Sequence, residues 1–447
     1  MKEKLKSFFK EVEENQLMNG TVLIAKDNTI LFKGAFGEAE IQPKRLLNET
    51  SIFNLASVSK PITAIGIILL VQSKQISFDD DIGHWFPQLP YKNITIRHLL
   101  HHTSGLPDFL DLFKNHWDKR KIAVNQDVLD LLIQYQPERL FESNERMEYS
   151  NTGYVMLALI IEKVTGLSFS EYMKKEIFQP LNMHHTEVYT QRLTEEQLEN
   201  YAYGYIFDVY QYKYVLPDHF PETTFVTYLD GIVGDGAIHS TINDLYLLDR
   251  VLRNGEWIHD DLLKEAYTPA KPKNGGPFTY GFGWILEEDA DKGRCVLHSG
   301  GWPGYATHYR RYLDQDIVMI FLRNKEQDFE FEQLIIKAVE NIIFDAPYEI
   351  PKKPTFNKAI KLPIDDLKKY VGMYELMEHP NATIEVSMEE DRLMLQLPST
   401  MKLEMHASSK NEFFLRGLSV SAHFSEKELE IYLSIDNGNG IQTAKKI

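Results

Sequence analysis

The chain has 447 residues, 43% hydrophobic and 12% aromatic, enough to bury a large core and to divide into two or three domains. Its formal charge of −17 disfavours a nucleic-acid backbone or an anionic membrane as partner, because both reward clusters of Lys and Arg that this sequence lacks. The one cysteine, Cys295, excludes an internal disulfide and suits a reducing compartment.

In chain order, Leu5, Phe8, Phe9 and Val12 have the spacing of a short amphipathic helix. The segment has neither the apolar stretch nor the small-residue cleavage site of a signal peptide. The default location is therefore cytoplasmic, or extracytoplasmic if a leader has been removed. "TVLIAKDNTILFKGAFGEAE" reads as two strands joined at Asp27 and Asn28, a hairpin suited to a sheet edge. From Ile62 to Ile76 the spacing is helical and apolar nearly all round. This predicts a buried helix, and the run is too short to span a bilayer.

Residues Ile96 to Arg192 alternate helical stretches with Gly and Pro punctuation and predict a helical insert. Tyr201 to Gly236, aromatic and turn-rich, predicts loops around a cleft. Thr241 and Asp244 have capping-box spacing ahead of a helix. The runs "YGFGWILEE", "RCVLHSGG", "ATHYRRYL" and "DIVMIFLRN" are strand-like and complete the sheet begun by the hairpin, with a helix from about Glu330 to Ile342 closing it. The expected domains are 1–345 with an insert at 96–192, a Pro-rich linker at 346–360, and a small antiparallel barrel or sandwich at 361–447.

Three serines stand three residues before a lysine: Ser7 with Lys10, Ser57 with Lys60, and Ser399 with Lys402. Ser7 lies on a terminal helix beside two phenylalanines, and Ser399 in a turn with no long helix behind it. Ser57 sits at the mouth of the central helix, where positions three apart share a face and unpaired N–H groups favour developing negative charge. Pro61 requires the regular helix to begin close to this point.

Further along are "YSN" at Tyr149 to Asn151 and "HSG" at His298 to Gly300, followed by "GWPGY". With the Ser57 motif, these ordered segments resemble the serine hydrolases related to class C β-lactamases, penicillin-binding carboxypeptidases, D-aminopeptidases and esterases. The resemblance covers Gly20 to Asn324. It implies an α/β (α+β) fold, an antiparallel sheet flanked by helices with a helical subdomain, plus a lipocalin-like C-terminal barrel. It also implies Ser57 as nucleophile, Lys60 and Tyr149 as its proton-transfer partners, and Asn151, His298 and Gly300 at the substrate. The oxyanion hole would be formed by the N–H groups of Ser57 and Gly301. Tyr91 and Asn93 share the bare Tyr-x-Asn spacing but lead into a connector, so Tyr149 is preferred. His298 replaces a family lysine and would contact the substrate or Tyr149; as a neutral imidazole it lacks the permanent charge that binds a substrate carboxylate.

Plain structural roles stand beside these: Ser57 as a helix cap, Tyr149 as a packed aromatic, Asn151 as the N-cap of the next helix, His298 as a strand histidine. The pairs His101/His102 and His184/His185 lack the spacing of a metal site, His102 is expected to order a loop, and no cofactor is implied. The expected activity is acyl-enzyme hydrolysis of amide bonds in D-amino-acid peptides or small amides. The alternatives are a carboxylesterase using the same site and a non-catalytic ligand-binding homologue. Expected partners are small amides, peptides or esters, with no nucleic acid, no membrane span, and a homo-oligomer allowed.

Overall fold

The computed structural model describes all residues except 195–196, 256, 277–278, 354–356, 380–381, 398–401, 429 and 439. The chain divides into two compact units. One comprises Met1–Tyr205 with Leu216–Lys325, the other Ile206–Val215 with Glu326–Ile447.

The first unit is built on a six-stranded antiparallel sheet. Its spatial order is Ile285–Asp289, Gly293–Trp302, Tyr305–Tyr312, Ile317–Arg323, Gly20–Lys26 and Thr29–Phe36. The N-terminal hairpin thus forms one edge, as read from sequence. Asp27 and Asn28 both take positive φ, the conformation that lets a two-residue turn match the twist of its strands. The amphipathic helix Lys2–Glu14 buries Leu5, Phe8, Phe9 and Val12, and Phe9 stacks on Phe32 of the edge strand at 4.1 Å between ring centroids.

The helix Ser59–Gln72 is apolar on every side and buried along most of its length. It packs against Asn151–Thr165, and the same core takes in Phe169–Met173 and side chains of the sheet. Gly283 lets the chain of the "YGFGW" run abut the start of this helix. Its φ is +79°, and a Cβ there would lie 2.7 Å from Pro61 Cα. On the sheet, buried Arg311 donates from Nε to Asp249 Oδ1 at 2.7 Å and so pins the helix Ile242–Asn254. The capping box expected at that helix is only half made. Thr241 accepts from Asp244 N–H at 3.2 Å, but the Asp244 carboxylate turns to His185 N–H and Thr186 Oγ1, each at 2.8 Å.

The second unit carries a closed antiparallel barrel of eight strands running from Gly372–Leu376 to Ile441–Lys446. The hairpin Ile206–Asp208/Lys213–Val215 and the helix Phe329–Ile343 belong to this unit. Tyr370 stacks on Phe424 at 4.0 Å, and Phe413, Tyr374, Leu393 and Leu433 are buried with them. The barrel is therefore filled by its own side chains, as small barrels are.

Candidate active site

Ser57 lies in the single 3-10 turn Ala56–Val58 that leads into Ser59–Gln72. Asn54 Oδ1 accepts from Ala56 N–H at 2.7 Å and holds Ala56 at a φ of +48°, an uncommon conformation for a residue with a side chain. This bend presents Ser57 at the helix mouth. Lys60, one turn on, is 0% exposed. Its Nζ donates to Ser57 Oγ at 3.1 Å, to Asn151 Oδ1 at 2.8 Å and to the Asp235 carbonyl at 2.8 Å. An ammonium has three N–H donors, so each is committed.

Asn151 is the first residue of its helix rather than the cap. Ser150 is the cap, with its hydroxyl accepting from Gly153 N–H at 3.2 Å, and this leaves the Asn151 amide for Lys60. Tyr149 lies over Lys60, with Nζ 4.9 Å from the ring centroid, and its hydroxyl makes no hydrogen bond among the described residues. Tyr91, the other tyrosine with this spacing, donates to the Pro137 carbonyl instead.

The segment is aligned by His102. Ser150 N–H donates to His102 Nδ1 at 3.1 Å, which places the imidazole proton on Nε2, and the ring lies 4.5 Å from those of both Tyr149 and Tyr280. Burial, reinforced by the positive charge of Lys60, holds His102 well below the usual histidine range. It is a neutral positioning group, a more specific role than ordering a loop. The neighbouring His101 faces the Tyr280 carbonyl, and among the described residues no group of three His, Cys, Asp or Glu is placed to hold a metal.

The strand Gly293–Trp302 brings the third segment. His298 is buried and committed on both nitrogens, with Nδ1 2.6 Å from the Ser299 carbonyl and Nε2 3.0 Å from the Tyr280 hydroxyl. Burial and the nearby Lys60 charge push its pKa down to about 3. The imidazole is neutral and turned to Tyr280, and its ring centroid is 6.2 Å from that of Tyr149. Gly300 seats the strand against the nucleophile. A Cβ there would stand 2.3 Å from both the Leu55 carbonyl oxygen and Thr307 Oγ1, and 3.0 Å from Ser57 N. Gly301 has open space around it and, with Ser57 and Asn151, lines a cavity of about 370 Å³. His298, Gly300 and Tyr149 are outside that lining. Asp235, Asp230, Phe109, Phe225 and Trp302 are within it, none of them among the candidate site residues read from the sequence.

The other two Ser-x-x-Lys pairs are not assembled in this way. Lys10 faces Glu14 at 3.6 Å, and Lys402 donates to Glu385 and Ser387. Ser399 lies outside the described residues.

The sequence model of the family described as Beta-lactamase matches residues 5–340. The chain belongs to the beta-lactamase family. Within that family it is 45% identical over 421 residues to penicillin-binding protein 4* of Bacillus subtilis (strain 168), covering 94% of this chain and 93% of that protein. Among solved structures it is similar to a penicillin-binding protein from Bacillus halodurans, with 25% identity, a TM-score of 0.64, and 75% of this chain and 98% of that one covered. A second similar structure is the D-amino acid amidase from Ochrobactrum anthropi SV3 complexed with L-phenylalanine amide, with 25% identity, a TM-score of 0.61, and 76% and 96% covered. This beta-lactamase relative is accordingly a serine hydrolase of the penicillin-binding-protein type. No single helix among its described residues is long and apolar enough to cross a membrane.

Proposed function

We propose that the chain hydrolyses amide bonds of D-amino-acid peptides or related small amides through an acyl-enzyme on Ser57. The observation that carries this reading is the Lys60 node, which ties Ser57 Oγ to Asn151 at the edge of a cavity also lined by Gly301. The Tyr149 oxygen, directly or through a relay with Lys60, takes the Ser57 proton as Oγ bonds to the carbonyl carbon, and the N–H groups of Ser57 and Gly301 hold the oxyanion. The C–N bond then breaks, and the proton passes to the leaving amine. Water, activated by the same pair, cleaves the ester and restores Ser57.

His298 acts in this scheme through Tyr280 and the Tyr149 pocket rather than by touching substrate. A neutral imidazole in place of the family lysine removes the fixed cation that would hold a substrate carboxylate. This favours amides over carboxylate-bearing β-lactams, in keeping with the similarity to a protein named as a D-amino acid amidase. The test is a parallel assay on D-amino-acid amides, D-Ala-D-Ala peptides, a cephalosporin and short acyl esters. The expected order of kcat/KM has D-amino-acid amides above the cephalosporin by at least about 10-fold, the scale of one lost charge contact. Turnover confined to esters would replace this reading with the carboxylesterase one.

A further inference from the structure

The two backbone donors assigned to the oxyanion stand on separate elements, Ser57 N–H on the turn Ala56–Val58 and Gly301 N–H on the strand Gly293–Trp302. Both must lie within about 3 Å of one developing oxygen, so the gap between turn and strand governs how well they act together. One side chain bridges that gap. Thr307, buried in the neighbouring strand Tyr305–Tyr312, donates from Oγ1 to the Leu55 carbonyl at 2.7 Å, across 252 residues of sequence. Among the described residues no other hydrogen bond joins residues 54–58 to these two strands.

Thr307 reaches Leu55 because of what stands opposite it. Its cross-strand partner is Gly300, and a Cβ there would lie 2.3 Å from both Thr307 Oγ1 and the Leu55 carbonyl oxygen, crowding the bond between them. The hydroxyl has a single proton, and its other acceptor, the Gly300 carbonyl, is 3.4 Å away, so the proton goes to Leu55. Leu55 is seated on its far side as well. Its N–H donates to the Ile238 carbonyl at 2.9 Å, and its carbonyl also accepts from Val58 N–H at 3.1 Å. The Leu55 carbonyl therefore closes the turn that carries Ser57 with one lone pair and holds the strand pair that carries Gly301 with the other.

We propose that Thr307 is a positioning residue of the oxyanion hole, its hydroxyl setting the spacing of Ser57 N–H and Gly301 N–H. The inference rests on the acyl-enzyme reading above and deepens it. Thr307 is outside the lining of the cavity beside Ser57, so it acts through Leu55 and not by touching substrate. Without the bond the turn and the strand lose their only direct hydrogen-bonded tie among the described residues, and a displacement of about 1 Å in such a site costs on the order of 10²-fold in rate. The Leu55 carbonyl keeps Val58 N–H as a partner, so folding does not depend on the Thr307 hydroxyl.

The experiment compares phenyl butyrate with its thiono analogue, in which sulfur replaces the carbonyl oxygen. Sulfur is a larger and weaker acceptor, so the thionoester draws little from the hole, and the oxygen-to-sulfur ratio of kcat/KM reads the alignment of the two donors. Thr307→Val keeps the β-branched shape and deletes the hydroxyl. It is expected to lower kcat on the oxygen ester by about 10- to 100-fold with KM within about 3-fold of wild type, and to shrink the ratio by about 10-fold or more. Thr307→Ser, which keeps the hydroxyl, should hold the ratio within about 3-fold of wild type. Thr307→Ala, which introduces no bulk, is a second hydroxyl-free variant and should match Thr307→Val.

A second measurement does not depend on turnover. The phosphoryl oxygen of a fluorophosphonate gains negative charge as Ser57 attacks, so the labelling rate should fall about 10-fold or more in Thr307→Val and stay within about 3-fold of wild type in Thr307→Ser. An equal loss on the oxygen and thiono esters in the hydroxyl-free variants would overturn the proposal, because the bond would then only brace the fold. Thr307→Ser behaving like Thr307→Val would overturn it too, as would wild-type kinetics in Thr307→Val. Failure of the underlying reading is a different result, the absence of any Ser57 adduct in the wild type.

Discussion

Replacing Tyr149 by Phe is expected to lower kcat/KM by about 10² to 10⁴-fold, and Lys60→Met by at least as much, the range in which general acid–base groups act. The two losses have different companions. Tyr149 is 37% exposed and its hydroxyl has no protein partner among the described residues, so Tyr149→Phe should leave the unfolding midpoint unchanged. Lys60 is buried and satisfies both Asn151 Oδ1 and the Asp235 carbonyl, so Lys60→Met leaves two half-buried acceptors unpaired and should also destabilise the fold, by about 1 kcal/mol each. Steady-state kinetics beside urea unfolding separate the two effects. Near wild-type turnover in folded Tyr149→Phe would remove that hydroxyl from the mechanism.

The second large effect is on stability in mild acid. Burial lowers His298 to about 3 and His101 and His239 each to about 4, and holds His102 well below the usual range. Unfolded, each titrates near 6.5. Below that pH the unfolded chain takes up protons that the folded one refuses, so stability falls as pH drops from about 6.5 and levels off only as the folded values are passed. Each histidine contributes up to about 1.4 kcal/mol per pH unit in this window. The carboxyls of Asp108, Asp230, Asp235 and Asp244, raised by burial, work in the opposite sense by binding protons first in the folded state. Their compensation grows toward the acid end.

The net expectation is a marked loss of stability between pH 7 and pH 5. All five tryptophans, Trp85, Trp117, Trp257, Trp284 and Trp302, belong to the first unit, so their fluorescence during urea unfolding reports the unit that holds these four histidines. A midpoint that is flat or rises on acidification would contradict the assignment of neutral, buried imidazoles.

Much of the fold was legible because local patterns and tertiary burial agree. The Asp27–Asn28 turn, the four buried residues of the first helix, the all-round apolar run behind Ser57 and the paired strands all follow from spacing alone. The Ser57–Lys60 contact was legible for the same reason, since it is one helical turn.

What escaped depends on distant parts of the chain. His298 Nε2 is committed to Tyr280, 18 residues earlier, and nothing in "HSG" announces that partner. The Asn151 side chain is available to Lys60 only because Ser150 takes the cap, a choice between two adjacent good capping residues that propensity does not decide. Asp244 has the right spacing for a capping box, but the 185–186 segment offers it a backbone and a hydroxyl donor instead. Asp235 lies in the run "GDGAIHSTINDL", whose pattern names no partner for it. Its place beside Lys60 emerges only when residues 175 apart in sequence meet.

The most direct test of the central claim is the position of a covalent adduct. Wild-type protein treated with a fluorophosphonate should gain one label, and peptide mapping by mass spectrometry should place it on Ser57, with none on Ser7 or Ser399 and none in Ser57→Ala. Label on another serine, or undiminished labelling of folded Ser57→Ala, would contradict the account.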